Sequence, residues 1–134
     1  MFKRVSRIIL VIVVISVNLT ECAYNIGTVS KNNDELKIGI TVYKQEDKFI
    51  SCMVNAIEEY VIKKENETKS KITVNIVDAK GNSTYQNNQV DKFLSEDYDI
   101  ICVNIVDRTA ASVIINKAKK YDTPVIFFNR EPVE

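Results

Sequence analysis

Residues 100–106 read IICVNIV, and this stretch decides the expected fold. Six of the seven residues are apolar and most of them are β-branched, a pattern that predicts a strand buried on both faces. Strands of that kind are typical of parallel sheets that are covered by helices. We therefore expect an α/β domain with residues 100–106 near its centre.

Three further runs have the same character: residues 36–43 (LKIGITVY), 72–77 (ITVNIV) and 125–128 (VIFF). The segments between the runs change to a helical spacing of apolar residues. Strands and helices alternate, which predicts right-handed crossovers and a parallel sheet with helices on both faces. The expected core faces are Phe49, Met53, Ala56, Ile57 and Tyr60 in the first helix, Val90, Phe93 and Leu94 in the second, and Ala110, Ala111, Ile114, Ile115 and Ala118 in the third.

Local sequence features predict where two helices begin and whether two cysteines are buried. Ser83 with Gln86 three residues later predicts a capping box, and Asp107 stands where it would cap the third helix. Cys52 lies on a helical pattern and Cys102 in an apolar strand, so both are expected to be small buried hydrophobic residues.

The composition of the chain excludes or disfavours several classes of function. The 18 basic and 18 acidic residues leave no net charge, which disfavours nucleic acid as a partner. The chain has no histidine, so Ser-His-Asp and Cys-His catalysis and the HExxH zinc site are excluded. No Gly-rich loop follows the first strand, which argues against a dinucleotide site and a P-loop. An enzyme is therefore the least favoured class, and no metal site is expected.

The first 21 residues have the layout of a signal peptide. Lys3, Arg4 and Arg7 form a basic head, and an apolar run follows at residues 8–17 (IILVIVVISV). Ten residues are too few to cross a bilayer core of about 30 Å as a helix. We therefore expect export of the rest of the chain across the cytoplasmic membrane.

The end of this segment, Leu19-Thr20-Glu21-Cys22, resembles a bacterial lipobox, whose cysteine takes lipid on its sulfur. Glu21 departs from that pattern, in which a small residue precedes the cysteine, and simple secretion is the alternative. Lipidation of Cys22 predicts an anchored protein in the periplasm or on the outer face of the membrane. Residues 22–35 then form a polar tether, and residues 36–134 form the folded domain.

Chemistry in an open parallel sheet is expected beyond the carboxyl ends of the strands. Tyr43, Asp47 and Phe49 follow the first strand, and Asn104 stands near the end of the third. A carboxylate, an amide and aromatic rings can accept, donate and stack, a set that suits a sugar. Three alternatives remain open: Asp47 as a helix N-cap, Phe49 as a core residue, and Asn104 as a partner for a backbone group at the sheet end.

The order of these residues resembles the amino-terminal lobe of the periplasmic D-galactose/D-glucose-binding proteins, sugar-type solute-binding proteins of ABC transporters. The matching motifs are residues 38–44 (IGITVYK) with Asp47 and Phe49, residues 86–91 (QNNQVD), residues 103–107 (VNIVD) and residues 124–132 (PVIFFNREP). The resemblance implies that Asp47 and Asn104 hydrogen-bond the sugar hydroxyls, that Phe49 stacks on the sugar ring, and that Tyr43 lines the site. Asp107 and Asn129 match the family but are kept as a cap and a strand-end residue.

The resemblance also implies a fold, partners and a missing part. The fold is that of a type I periplasmic binding protein, the partners are a monosaccharide, an ABC transporter permease and in some cases a chemoreceptor, and no cofactor is expected. Family members have a second lobe that carries more ligand contacts and a calcium loop, and none of it is found in these 134 residues. This chain therefore corresponds to a partial lobe. A sensory or protein-interaction module built on a lone lobe is the alternative function.

Overall fold

The computed structural model describes residues 35–133. The predicted signal peptide, the lipidation site at Cys22 and nearly all of the tether lie outside the described residues, so these assignments stay predictions. Of the helices within residues 35–133, none is long and apolar enough to span a membrane.

The described part of the chain is an alternation of strands and helices around one parallel sheet. The strands are β1 (Glu35–Val42), β2 (Lys71–Asp78), β3 (Ile100–Val103) and β4 (Val125–Phe127). The helices are α1 (Lys48–Thr68), α2 (Ser83–Ser95) and α3 (Ala111–Lys120), with a 3-10 turn at Arg108–Ala110. All pairings are parallel, and the order is β2-β1-β3-β4. The predicted α/β class is confirmed.

The strand order creates one switch point in the sheet. β2 follows β1 in the chain and pairs on one side of it, whereas β3 pairs on its other side and β4 lies beyond β3. The direction of winding therefore reverses between β1 and β3. In open α/β sheets, a reversal of this kind opens a crevice at the carboxyl ends of the two strands.

The helices cover both faces of the sheet, as expected. On one face, Ile50 and Val54 of α1 pack with Ile40 and Val42 of β1. On the other face, α2 and α3 pack against β3 through a buried cluster that includes Val90, Phe93, Leu94, Ile101, Val103, Ala111, Ile114 and Ala118. Successive residues of β3 alternate between these two faces, because side chains of a strand point to opposite sides of the sheet.

The buried face of α1 is rotated from the predicted one. Met53 and Ile57 do pack against the core, but Phe49, Ala56 and Tyr60 are exposed, so their assignment to the core is wrong. Ile50 and Val54 take their place and complete a continuous stripe with Met53 and Ile57. The prediction for Cys52 is wrong for the same reason, since this thiol lies on the exposed face of α1.

Two other local assignments change. Asn82, rather than Ser83, caps α2, with its side-chain oxygen accepting from the backbone N–H of Thr84 and Tyr85. Gln86 is 1% exposed and turns into the sheet, so it forms no capping box. Asp107 caps the 3-10 turn that leads into α3, accepting from the N–H of Thr109. Cys102 is half-buried in β3, and this burial raises the pKa of its thiol.

β3 is shorter than the predicted strand at residues 100–106 and ends at Val103. The residues beyond it stay buried: Asn104 is 0% and Ile105 is 1% exposed. The apolar character of the run therefore indicated burial correctly, whereas the backbone carbonyl of Asn104 and the backbone N–H of Val106 bond to the side chain of Gln86 instead of a strand.

Gly39 lets α2 approach the middle of β1 closely. A Cβ atom at this position would lie 2.6 Å from the Cγ atom of Phe93, which is itself 1% exposed. Carbon atoms do not approach to that distance, and a buried ring in a packed core has little room to move. The absence of a side chain at Gly39 is therefore a packing requirement.

We expect Gly39→Ala to lower the free energy of unfolding by about 1–3 kcal/mol, since the added methyl group overpacks the core against Phe93. Phe93→Leu in the same background should restore part of the loss by vacating the ring position. Urea denaturation of the two single variants and the double variant measures the coupling. Strict additivity of the two changes would contradict the contact.

Candidate functional site

The predicted site residues meet at the switch point. The backbone N–H of Asn104 donates to the carbonyl of Thr41, which extends the pairing of β1 and β3 one residue past the end of β3. The carboxyl ends of these two strands are thereby held side by side. Tyr43 and Asp47 follow one strand and Asn104 follows the other, as the sequence predicted.

Tyr43 and Asp47 form a hydrogen-bonded pair. The Tyr43 hydroxyl donates to Oδ2 of Asp47 over 2.6 Å, a short bond of the kind that a charged acceptor makes. This bond is the main cause that lowers the pKa of the Asp47 carboxyl and raises the pKa of the Tyr43 hydroxyl. Asp47 is therefore an ionised acceptor at neutral pH, and its orientation is fixed by the phenol.

The second oxygen of Asp47 caps α1. Oδ1 accepts from the backbone N–H of Phe49 at 2.9 Å and of Ile50 at 3.2 Å, so the helix-cap alternative for Asp47 is realised. A carboxylate offers about four lone-pair positions, and these bonds with the Tyr43 hydroxyl fill three. Capping and ligand binding are thus compatible, since one position on Oδ2 remains for a further donor.

Phe49 lies beside this carboxylate with its side chain in solvent. It is 62% exposed, which decides against the alternative that placed it in the core. Phe49 is the second residue of α1, and its ring belongs to neither core cluster. Its face is available to stack on an apolar ring face of a ligand.

Asn104 differs from the other three residues because it is 0% exposed. Its Oδ1 accepts from the backbone N–H of Tyr43 at 3.2 Å, and its Nδ2 donates to the carbonyl of Phe128 at 3.1 Å. The structure thus realises the alternative in which this amide satisfies backbone groups at the sheet end. A direct contact of Asn104 with a sugar stays a prediction.

Arg130 joins the site although the sequence did not single it out. Its guanidinium carbon lies 4.7 Å from the ring centroid of Tyr43, within cation–π range. Asn129, which precedes Arg130, has a left-handed backbone with φ of 60°. A cationic residue that follows Asn at the end of a strand is the sequence feature that could have indicated Arg130.

A cavity with a different chemistry lies elsewhere in the described residues. It is a groove of about 560 Å³ between α1 and the sheet, and its walls are mainly aliphatic. Tyr60 and Lys64 are the polar-tipped residues among its lining, which includes Leu36, Ile57, Cys102 and Ile126. Such a surface cannot satisfy the hydroxyls of a sugar. The candidate site is therefore the polar crevice and not this groove.

We expect Tyr43→Phe to raise the pKa of Asp47, because the variant removes the hydrogen bond that contributes most to its lowering. An acid with a lowered pKa in the folded state stabilises that state at neutral pH, and the stabilisation is lost as the pH falls through the folded pKa. The variant has less of this stabilisation to lose, so its free energy of unfolding should fall less than that of the parent protein as the pH is lowered. An NMR titration of the Asp47 carboxyl carbon measures the shift.

Tyr85→Phe is the matched control, since Tyr85 is an exposed tyrosine on α2. It should leave the titration of Asp47 unchanged. Equal pKa values for Asp47 in the Tyr43→Phe variant and in the parent protein would refute the importance of the pair.

The chain belongs to a family of solute-binding proteins. Residues 38–134 match the model of the periplasmic binding protein domain, a range that begins within β1 and includes every later element described above. The matched range contains all four predicted site residues.

Two relatives that are more than 30% identical to the chain are binding proteins. The chain is 38% identical over 96 residues to the D-galactose/methyl-galactoside binding periplasmic protein MglB of Haemophilus influenzae, a match that covers 72% of this chain and 28% of that relative. An ABC transporter solute binding protein from Bacillus halodurans, solved with bound myo-inositol, superposes with a TM-score of 0.61 at 33% identity, over 71% of this chain and 31% of that one.

The fold recurs at lower identity. The myo-inositol binding protein of Caulobacter superposes with a TM-score of 0.64 at 17% identity, over 81% of this chain and 34% of that one. This likeness supports the fold alone. The chain thus spans about a third or less of the length of the relatives it matches.

Proposed function

We propose that this domain binds D-galactose or D-glucose outside the cytoplasmic membrane and delivers the sugar, chemically unchanged, to an ABC transporter. The observation that carries the proposal is the Tyr43–Asp47 pair beside the exposed ring of Phe49 at the switch point. Membership of the periplasmic binding protein family and the name of the Haemophilus influenzae relative support it.

The proposed roles follow from the contacts. The lone-pair position left on Oδ2 of Asp47 accepts a sugar hydroxyl, and the negative charge strengthens that bond. Phe49 packs on the C–H face of the sugar ring. Tyr43 orients the carboxylate, and the guanidinium of Arg130 lies over the ring of Tyr43.

The same chemistry suits other polyhydroxylated rings. The Bacillus halodurans relative was solved with myo-inositol, a cyclitol that presents hydroxyls around a six-membered ring. Asp47 and Phe49 would meet a hydroxyl and a C–H face in either type of ligand. myo-Inositol is therefore the comparison ligand for galactose and glucose.

The proposal includes location and partners. We propose export by the signal peptide of residues 1–21, a lipid anchor at Cys22, the permease of an ABC transporter as the receiving partner, and a chemoreceptor as a second partner. The name of the Haemophilus influenzae relative describes a periplasmic protein, which supports the location.

The described part of the site is open, which limits its affinity. Phe49 covers a single side of the ligand position and is itself mostly in solvent. High-affinity small-molecule sites bury most of the ligand surface. We expect the 134-residue chain to bind D-galactose with a Kd of about 1 mM or weaker, which corresponds to about −4 kcal/mol.

We expect Asp47→Asn to weaken binding of D-galactose by about tenfold, because an amide replaces a charged acceptor. This variant keeps the helix cap, since Asn is as good an N-cap as Asp. Saturation-transfer difference NMR, which detects millimolar ligands, gives the Kd for galactose, glucose and myo-inositol.

Glu46→Gln is the matched control, because Glu46 is the neighbouring carboxylate, its side chain is 81% exposed and it pairs with Lys44 at 3.3 Å. It should bind as the parent chain does. If the chain binds none of the three ligands, the result would contradict the proposal and favour the protein-interaction alternative. Equal binding by the Asp47→Asn and Glu46→Gln variants would contradict the assignment of Asp47.

A further inference from the structure

Two glutamines of α2 turn toward the sheet. Gln86 and Gln89 lie three residues apart on one helix face, and Gln86 is 1% exposed. Burial of an uncharged amide is unfavourable unless its donor and acceptor are both satisfied. The hydrogen-bond partners of these amides therefore show which parts of the chain the two glutamines connect.

Gln86 completes the edge that β3 leaves open. Its Oε1 accepts from the backbone N–H of Val106 at 2.8 Å, and its Nε2 donates to the carbonyl of Asn104 at 3.0 Å. A peptide group of a neighbouring strand would supply the same donor and acceptor. The side chain thus replaces a strand at the point where the ladder stops.

Gln89 also hydrogen-bonds to the end of a strand, on the other side of β1. Its Nε2 donates to the carbonyl of Asp78 at the end of β2, and its Oε1 accepts from the hydroxyl of Thr41 at 2.7 Å. Gln86 also approaches that hydroxyl, at 3.4 Å. One helix face therefore contacts the carboxyl ends of β1, β2 and β3.

The connection continues to the candidate site through Asn104. Gln86 fixes the backbone of Asn104, and the side chain of Asn104 accepts from the backbone N–H of Tyr43. Tyr43 in turn orients the carboxylate of Asp47. A change at Gln86 can reach Asp47 through these bonds without touching a ligand.

We propose that Gln86 is a positioning residue of the candidate sugar site, which sets the place of Tyr43 by fixing the backbone of Asn104. This inference rests on the proposed function for the identity of the ligand. Its structural part, the link from Gln86 to Tyr43, can be measured without any ligand.

The test uses amide hydrogen exchange of the full chain and of its Gln86→Leu variant. Leucine preserves the volume and removes both hydrogen bonds, so the amides of Val106 and Tyr43 should exchange about tenfold faster. The amide of Ile101, which donates to the carbonyl of Pro124, should be unchanged. Asn88→Leu, at an exposed neighbouring position of α2, is the control and should alter none of the three rates.

A second variant covers the case in which Gln86→Leu does not fold. Gln86→Glu keeps the acceptor but loses the donor when it is ionised, whereas the protonated acid offers both. Burial raises the pKa of such a carboxyl, so protection of Tyr43 should return at about pH 5 and be lost at about pH 8. The neighbouring carboxyls, Asp47 near Tyr43 and Asp107 in the small cavity beside Gln86, have lowered pKa values and stay ionised at both values.

Binding of D-galactose to the same samples completes the experiment. The affinity should fall about tenfold in Gln86→Leu and recover at the lower pH in Gln86→Glu. Unchanged exchange of Tyr43, or an equal acceleration of Tyr43 and Ile101, would overturn the positioning role. A parent chain that binds no sugar would contradict the proposed function, and the exchange rates would still decide the link from Gln86 to Tyr43.

Discussion

The buried side-chain amide of Asn104 is the interaction on which the site depends. This side chain accepts from the backbone N–H of Tyr43 beyond β1 and donates to the carbonyl of Phe128 beyond β4. The backbone N–H of the same residue donates to the carbonyl of Thr41. A buried amide is stable only where its donor and acceptor have partners, so this side chain specifies how the strand ends are arranged around it. These bonds hold the ends of β1, β3 and β4 together beside the crevice that the reversal of winding opens.

The chemistry of the crevice comes from a carboxylate that serves two purposes. One oxygen of Asp47 caps α1 and the other accepts from the Tyr43 hydroxyl, so the start of the helix and the orientation of the carboxylate are set together. The same bonds lower its pKa and keep it charged. Helix capping thus places an acceptor of fixed direction beside an exposed ring, Phe49, and this combination supports recognition of a hydroxylated ring.

The sequence predicted the elements that depend on periodicity and the site residues that depend on strand order. The runs of β-branched residues placed the four strands within a few residues, and residues at the carboxyl ends of the first and third strands do meet. The rotation of α1 was missed because Phe49 and Ile50 are both apolar, and spacing alone does not say which of them faces the core. Gln86 was misjudged because Asn82, which precedes α2, and Ser83, its first residue, both have side chains that can cap a helix. Arg130 was missed because it contacts Tyr43, a residue far from it in the sequence, and spacing alone does not reveal such a contact.

We propose that a ligand contacts the carboxyl ends of β1 and β3 rather than the apolar groove under α1. A chemical-shift map of the ¹⁵N-labelled chain, recorded during addition of D-galactose, distinguishes the two locations. We expect the affected amides to cluster at residues 43–50 and 104–107, with residues of the groove wall such as Ile57 and Ile72 unaffected. Shifts that cluster along the groove wall, with residues 43–50 unchanged, would place the ligand in the groove and overturn the proposed site.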